Sequence, residues 1–282
     1  MDILASQDKQ NRSQFKASTP MMYRKNKLAF VGCSNCPKLC CNGTQFNSAR
    51  VLLDELQDVA RFFPVVFQTD YDKKTGMGLL FSLKKGVPCP YLDSESEKCA
   101  IWDKGRPPVC RSYPFMFNFK TAEGLQKQFG IYLENKFCPG IKESSEGIRI
   151  FADTGEISAE ILDKFFGREV LINYEKNLGA TNEFLSLVAE FGLLVNAEIV
   201  VGKRPLPAGG FKDVTFPIFM ISRQKLAALD TDSEMLLQSK GYINAINAHL
   251  NSLSNFRRLY EVLTAFEKSN LSVNMRNYTF GS

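Results

Sequence analysis

The amino-acid sequence predicts an α+β protein, in which a cysteine-rich N-terminal domain with short strands and a helix precedes a mainly helical C-terminal region. All eight cysteines fall between residues 33 and 138 of the 282-residue chain. Short apolar runs between residues 65 and 134 have the composition of strands. Beyond residue 150 the cysteines are absent, and apolar residues recur at the spacing of helices.

Composition divides the chain into three parts. Residues 1–22 are polar and are predicted to be a flexible arm, residues 23–150 form the cysteine-rich domain, and residues 151–282 form the helical domain. No run of eighteen apolar residues is present, so we expect no membrane span. The N-terminus lacks the apolar segment of a secretory signal, which predicts a cytoplasmic protein.

The elements of the N-terminal domain follow from periodicity and turn residues. Residues 48–63 have helical spacing and precede Pro64, which predicts a helix. Residues 65–83 contain two strand-like runs around "DKKTG", the pattern of a hairpin. A second pair of strands is predicted at residues 115–120 and 129–134.

The C-terminal part is predicted to be mostly helical. Its predicted elements are helices at 157–178 and 181–195, a Pro/Gly-rich connection at 202–213, a strand at 216–222, a short helix, and a long helix at about 231–268. Thr231 and Glu234 have the spacing of a capping box at the start of the long helix. His249, the only histidine, lies in an apolar row of that helix, which indicates a packing residue rather than a catalytic one.

The cysteines are the candidate functional residues. They are Cys33, Cys36, Cys40, Cys41, Cys89, Cys99, Cys110 and Cys138. In a reducing compartment, clustered thiols bind metal more often than they form disulfides. We therefore expect metal to organise the N-terminal domain. Eight thiolates divide into two sets of four, which fits two zinc sites, two iron–sulfur clusters, or one of each.

Spacing and neighbouring residues refine this hypothesis. Cys33 and Cys36 can turn two sulfurs toward one ion. The side chains of Cys40 and Cys41 face different directions, so the two would serve different centres, or one of them would not be a ligand. Arg106 and Arg111 flank Cys110, where they would either offset the charge of a thiolate site or lie on the surface.

The net charge gives little support for nucleic-acid binding. The formal charge is +5 with every thiol counted as neutral. Bound metal and ionised thiols would cancel most of this excess, and the chain has no long Lys/Arg run. We expect no nucleic-acid partner.

The stretches "CSNCPKLCC", "GVPCPYLDSESEKCAIWDKGRPPVCRSYPF" and "CPG" resemble the YkgJ-like CxxCxxCC cysteine-cluster family over residues 31–140. The domain of that family is described as chelating zinc or iron, and flagellin lysine N-methylases are similar in it. The resemblance implies the eight cysteines as ligands. It favours an iron–sulfur cluster over zinc and adds S-adenosylmethionine as a cofactor to test.

Residues 216–259, "FPIFMISRQKLAALD…LLQSKGYINAINAHLNSLSNFRRL", resemble the C-terminal part of SapC-like proteins, which are associated with surface layers or peptide modification. This resemblance implies a protein or peptide partner.

These observations predict a cytoplasmic metal-binding protein that holds an iron–sulfur cluster or zinc (4Fe–4S being one form) and acts on or with a protein or peptide. One alternative is an S-adenosylmethionine-dependent protein-lysine N-methyltransferase. The other is a redox switch or metal carrier. The sequence assigns no catalytic residue.

Overall fold

The structure, a computed structural model, describes residues 27–32, 40–43, 46–69, 75–117, 131–133, 138–153, 157–166, 168–207 and 209–276. The predicted α+β class is confirmed, and the C-terminal region is rich in helices. The predicted arm at residues 1–22 lies outside the described residues.

The strands of the described chain are short except for two. They are β1 (Leu28–Phe30), β2 (Ser48–Arg50), β3 (Val65–Thr69), β4 (Thr75–Leu80), β5 (Phe115–Phe117), β6 (Ile131–Leu133), β7 (Ile141–Glu143), β8 (Ile148–Arg149), β9 (Leu194–Pro205) and β10 (Phe211–Ile221).

The helices lie between and after these strands. They are α1 (Leu56–Ala60), α2 (Trp102–Gly105), α3 (Pro108–Ser112), α4 (Ala159–Phe165), α5 (Arg168–Glu190), α6 (Arg223–Ala227), α7 (Thr231–Ser239), α8 (Tyr242–Ser252) and α9 (Phe256–Arg276). Within the described ranges, no helix has the length and apolar character needed to cross a membrane.

A five-stranded antiparallel sheet with the order β2-β4-β3-β10-β9 is the centre of the fold. Its strands come from both sides of residue 150, because β10 pairs with β3 at Phe219 and Phe67. A three-stranded sheet (β7-β1-β8) and the β5-β6 pair complete the strand pairing. Among the described strands, β2 and β9 are therefore the two edge strands of the central sheet.

Helices cover both faces of the central sheet. On one face, Phe67 and Leu79 pack with Phe184 of α5 and Ile246 of α8. On the other face, apolar residues of the sheet pack with α9. This second cluster contains Val66, Leu80, Val201, Ile218, Phe256 and Leu259. Alternate residues of each strand thus enter different cores, as the pleat of a sheet requires.

Both predicted strand pairs are confirmed. The hairpin at 65–83 is β3-β4, with Val65 opposite Leu79. The pair at 115–120 and 129–134 is β5-β6, with Phe115 opposite Leu133. The short helix predicted after residue 222 is α6.

Several of the predicted elements are wrong in extent. Residues 48–50 form a strand paired with β4, so the helix predicted at 48–63 is reduced to residues 53–60. The helices predicted at 157–178 and 181–195 are instead α4 and one long α5. The connection predicted at 202–213 belongs largely to β9 and β10, because backbone pairing continues to Pro205.

The long helix predicted at 231–268 is interrupted. Gly241 has a φ of 73°, a left-handed conformation that favours glycine and separates α7 from α8. The capping box predicted at Thr231 and Glu234 is also wrong. Asp230 is the N-cap, and its side chain accepts a 2.8 Å hydrogen bond from the N–H of Ser233.

Candidate functional site

Five of the predicted metal ligands line one small, partly open cavity of about 20 Å³, together with Arg106 and apolar and aromatic side chains. These cysteines are Cys40, Cys41, Cys89, Cys99 and Cys110. Cys138 is buried beside Gly140, next to the three-stranded sheet, and does not line the cavity. Cys33 and Cys36 lie outside the described residues. Cysteines distant in sequence are thus brought together.

Backbone pairing between two loops positions these thiols. The N–H of Cys89 donates to the carbonyl of Cys41 at 2.8 Å, and the N–H of Gly86 donates to Gly43 at 2.8 Å. Gly43 has a φ of 76°, and a Cβ at this position would overlap the backbone of Val87. The close approach of the two loops therefore requires glycine at residue 43.

Three of these thiols, Cys40, Cys89 and Cys110, have raised pKa values. Loss of hydration raises the pKa of Cys89 to about 12 and also raises the pKa of Cys110. The pKa of Cys40 is raised, first by its hydrogen bond with Cys41, whose sulfur lies 3.6 Å away, and then by burial. Arg106 opposes the shifts at Cys40 and Cys110 but does not cancel them.

The two flanking arginines have different neighbours. Arg106 lines the cavity, and its guanidinium lies 4.1 Å from the centre of the Trp102 ring, a cation–π contact. Burial raises the pKa of Glu55, and the positive charge of Arg111 opposes part of that rise. Arg106 is thus the arginine whose charge acts on the cavity thiols.

The predicted metal-binding function is wrong. In the part of the chain that the structure describes, no three or more Cys, His, Asp or Glu side chains are grouped so as to hold a metal ion. The cavity thiols pack as small apolar groups against residues such as Phe63 and Ile101. The metal-organised domain and the zinc and 4Fe–4S interpretation are withdrawn with it.

The free edge of β9 is a feature that the sequence did not predict. β9 is twelve residues long, ends the central sheet and pairs only with β10 among the described strands. A period of two in Val195, Ala197, Ile199 and Val201 was the available signal, and the "PAGG" that follows is a turn sequence.

Hydrogen-bond alternation identifies the peptide groups on this edge. The N–H of Ser222 donates to the carbonyl of Leu193 at 2.9 Å, so these residues form a hydrogen-bonded pair. Such pairs alternate along antiparallel strands, and the register continues without a shift to Val200. Every second residue from Leu194 onward therefore directs its N–H and C=O away from β10. Beyond Leu194, these residues are Asn196, Glu198 and Val200.

β9 has partners in the described chain near both of its ends, and near the far end the hydroxyl of Tyr260 donates to the carbonyl of Lys203 at 3.4 Å. The ammonium group of Lys225 contacts the carbonyls of Gly192 at 2.6 Å and Leu194 at 3.3 Å. No described residue bonds the outward peptide groups of Asn196, Glu198 and Val200. The edge is thus closed where the strand begins and open along its middle.

The end of the β9-β10 hairpin exposes apolar and basic side chains. Val200 is 56% exposed and Phe211 is 71% exposed, both high values for apolar residues. The same part of the hairpin carries Lys203, Arg204 and Lys212, with Asp213 as its acidic residue. This surface therefore combines apolar contact area with an excess of positive charge.

Residues 38–259 match the SapC family, and the chain belongs to that family. The resemblance noted for residues 216–259 is therefore confirmed, and it extends over most of the chain. No solved structure matches. The YkgJ-like resemblance is wrong, because the SapC match includes six of the eight cysteines on which it depended.

Some predictions are not tested by these findings. The binding of S-adenosylmethionine, the assignment of individual cysteines as ligands and the cytoplasmic location stay predictions. The ligand assignment includes Cys33 and Cys36, which the structure does not describe.

Proposed function

We propose that this SapC-family protein binds a protein or peptide partner, which adds an extended segment to the central sheet along β9. The open middle of the β9 edge is the observation that carries the proposal. Its outward N–H and C=O groups have the spacing that an added strand requires. Main-chain hydrogen bonds would supply affinity, and alternate side chains of the segment would supply specificity.

The opposite end of the sheet is a poorer site for strand addition. β2 has three residues and offers a short ladder. β9 is four times as long, and its partner β10 anchors it along almost its whole length. The longer edge is therefore the better template for an incoming strand.

Charge favours a different protein over a second copy of this chain. Two copies paired symmetrically about the middle of the edge would place one Glu198 carboxylate opposite the other, which is unfavourable. The basic residues Lys203, Arg204 and Lys212 instead favour an acidic residue at the adjacent end of the incoming segment.

The surfaces on the two faces of β9 indicate which side chains the incoming segment would carry. Ala197 and Ile199 pack into the core formed with α9, so the neighbouring strand would meet apolar surface there. On the opposite face, the exposed Val200 offers a second apolar contact. We therefore expect a segment with apolar residues at alternate positions and an acidic residue near Lys203.

Selection from a phage-displayed library of random peptides, with the full chain immobilised, tests the proposal. The enriched peptide is then synthesised with a fluorophore, and its Kd is measured by fluorescence anisotropy. We expect enrichment of peptides that have apolar residues at alternate positions and an acidic residue near one end. A selection without enrichment would contradict the proposal.

Two variants at one residue separate strand addition from side-chain contact. Val200→Pro removes the outward N–H but not a bond to β10, so we expect the Kd to rise about tenfold or more. Val200→Ala keeps the N–H and should change the Kd much less. Equal binding by wild type and Val200→Pro, with both proteins folded by circular dichroism, would refute strand addition here.

A further inference from the structure

A second surface feature, separate from the β9 edge, is a groove of about 350 Å³ between α1 and α8. Its lining consists of polar side chains around two small residues. The lining residues are Gln57, Ala60, Arg61, Asn244, Asn247, Ala248 and Asn251. Four side-chain amides and one guanidinium therefore face the same space.

The chemistry of this lining suits a peptide backbone. A side-chain amide both donates and accepts hydrogen bonds, as a peptide group does. The lining includes neither a carboxylate nor an aromatic ring. Without a ring on which a sugar could stack, the groove matches peptide groups better than a saccharide.

The spacing of the amides matches an extended chain. Asn247 and Asn251 are four residues apart on α8, which corresponds to about 6 Å along the helix axis. Asn244 and Asn251 are separated by about 10.5 Å. Two and three residues of an extended peptide span about 6.6 and 10 Å, so these two spacings match peptide groups that lie two and three residues apart in one strand. Ala60 and Ala248 leave room for a backbone to approach.

Arg61 gives the groove a direction. The side chain of Asn255 donates a 2.8 Å hydrogen bond to the carbonyl of Ala60, which places Arg61 toward the C-terminal end of α8. Arg61 lies 3.8 Å from Asp58, but both side chains are about 70% exposed, so this ion pair is weak. The guanidinium therefore remains able to bind a carboxylate with two hydrogen bonds.

We infer that the groove between α1 and α8 binds the C-terminal end of an extended peptide. The asparagines of α8 bond its backbone, and Arg61 binds its terminal carboxylate. The inference does not depend on the proposed function of β9, because the two surfaces share no residue.

Nitrogen-15 correlation spectra of the full chain test the inference through the side-chain NH₂ signals of the lining residues. The probes are the tetrapeptide Gly-Ser-Gly-Ser with a free carboxylate, the same peptide with an amidated end, and maltotetraose. We expect the free-carboxylate peptide to shift the Asn247 and Asn251 signals. We expect the amidated peptide to bind about tenfold more weakly, the effect of one charged hydrogen-bonded pair.

Variants identify the contribution of each part. Arg61→Gln should reduce the affinity for the free-carboxylate peptide to that for the amidated one, whereas Arg257→Gln, on exposed α9 surface, should not. Val200→Pro should leave this binding unchanged. The inference is overturned if the groove signals do not shift at about 10 mM peptide, if the two peptides bind equally, or if only maltotetraose shifts the signals.

Discussion

His249 is predicted to make the protein less stable in acid, because it is buried in its neutral form. The residue is fully buried on α8, between β3 and β10. The N–H of Ile221 donates to Nε2 at 3.2 Å, so Nε2 is an acceptor and the proton lies on Nδ1. Nδ1–H donates to the carbonyl of Val65 at 2.9 Å. In the imidazolium form Nε2 would also carry a proton, so its N–H would face the N–H of Ile221 and the hydrogen bond between them would be lost.

The magnitude follows from the pKa. Burial lowers the pKa of His249 from 6.5 to about 4, although the bond to Val65 opposes the shift. Between these two pH values the unfolded chain takes up a proton that the folded chain does not, so stability falls as the pH falls. At 1.36 kcal/mol per pH unit, the loss from this residue is about 3 kcal/mol on going from pH 7 to pH 4.

Urea unfolding of wild type and His249→Gln at several pH values measures this loss. Glutamine does not titrate, and it leaves at least one buried group unpaired, so the variant should be less stable by about 1–3 kcal/mol at pH 7. The unfolding free energy of wild type minus that of the variant should then fall by about 3 kcal/mol toward pH 4, so that the variant becomes equal to or more stable than wild type. Other titrating groups are common to both proteins and cancel. A difference that stays constant within about 0.5 kcal/mol would refute the reasoning.

Three further predictions concern other parts of the fold. Burial raises the pKa of Glu55 from 4.5 to about 7, so its contribution to stability is present below pH 4.5 and lost as the pH rises through 7. Urea titrations should show Glu55→Gln gaining up to about 3 kcal/mol on wild type over that range, and parallel curves would contradict this. Gly202→Ala should destabilise by about 1–3 kcal/mol, since its Cβ would overlap the ring of Tyr260. In a Tyr260→Ala background thermal melts should show little further loss, and an undiminished loss would exclude the ring as the cause. Cys89 and Cys110 should resist iodoacetamide at neutral pH until urea is added, because their raised pKa values keep them as thiols. Rapid labelling of the native protein, located by peptide mass spectrometry, would disprove this.

The sequence predicted elements in which local signals and packing agree. The hairpin at 65–83 combines two apolar runs with a polar turn, and the β3-β4 pair follows this pattern. It also predicted that His249 is a packing residue, because its neighbours at helical spacing are apolar. In both cases the residues close in sequence carry enough information.

Elements defined by distant pairing were missed. Residues 48–50 have helical spacing, but hydrogen bonds to β4 make them a strand. β9 was missed for a different reason: its first residues continue the apolar spacing of α5, and its last residues lie in a Pro/Gly-rich stretch, so it was interpreted partly as helix and partly as connection. The β9 edge as a candidate site could not be predicted, since it depends on the strand order of the whole sheet.

The cysteines show the same limit in chemical terms. Their clustering in sequence indicated that they lie close together, and five of them line one cavity. Their charge state depends on side chains such as Phe63 and Tyr91, which enclose the cavity and remove water from it. The spacing of the cysteines in the sequence does not show which side chains surround them in the fold.

The pairing of β10 with β3 has a consequence for biosynthesis. Translation proceeds from the N-terminus, so β2, β3 and β4 leave the ribosome well before Phe211–Ile221 is made. Until then the edge of β3 that will pair with β10 is unpaired, and other chains can form hydrogen bonds with it and aggregate. Completion of the sheet must therefore wait until after synthesis of residue 221, and a chaperone that shields the incomplete sheet would raise the yield of native protein.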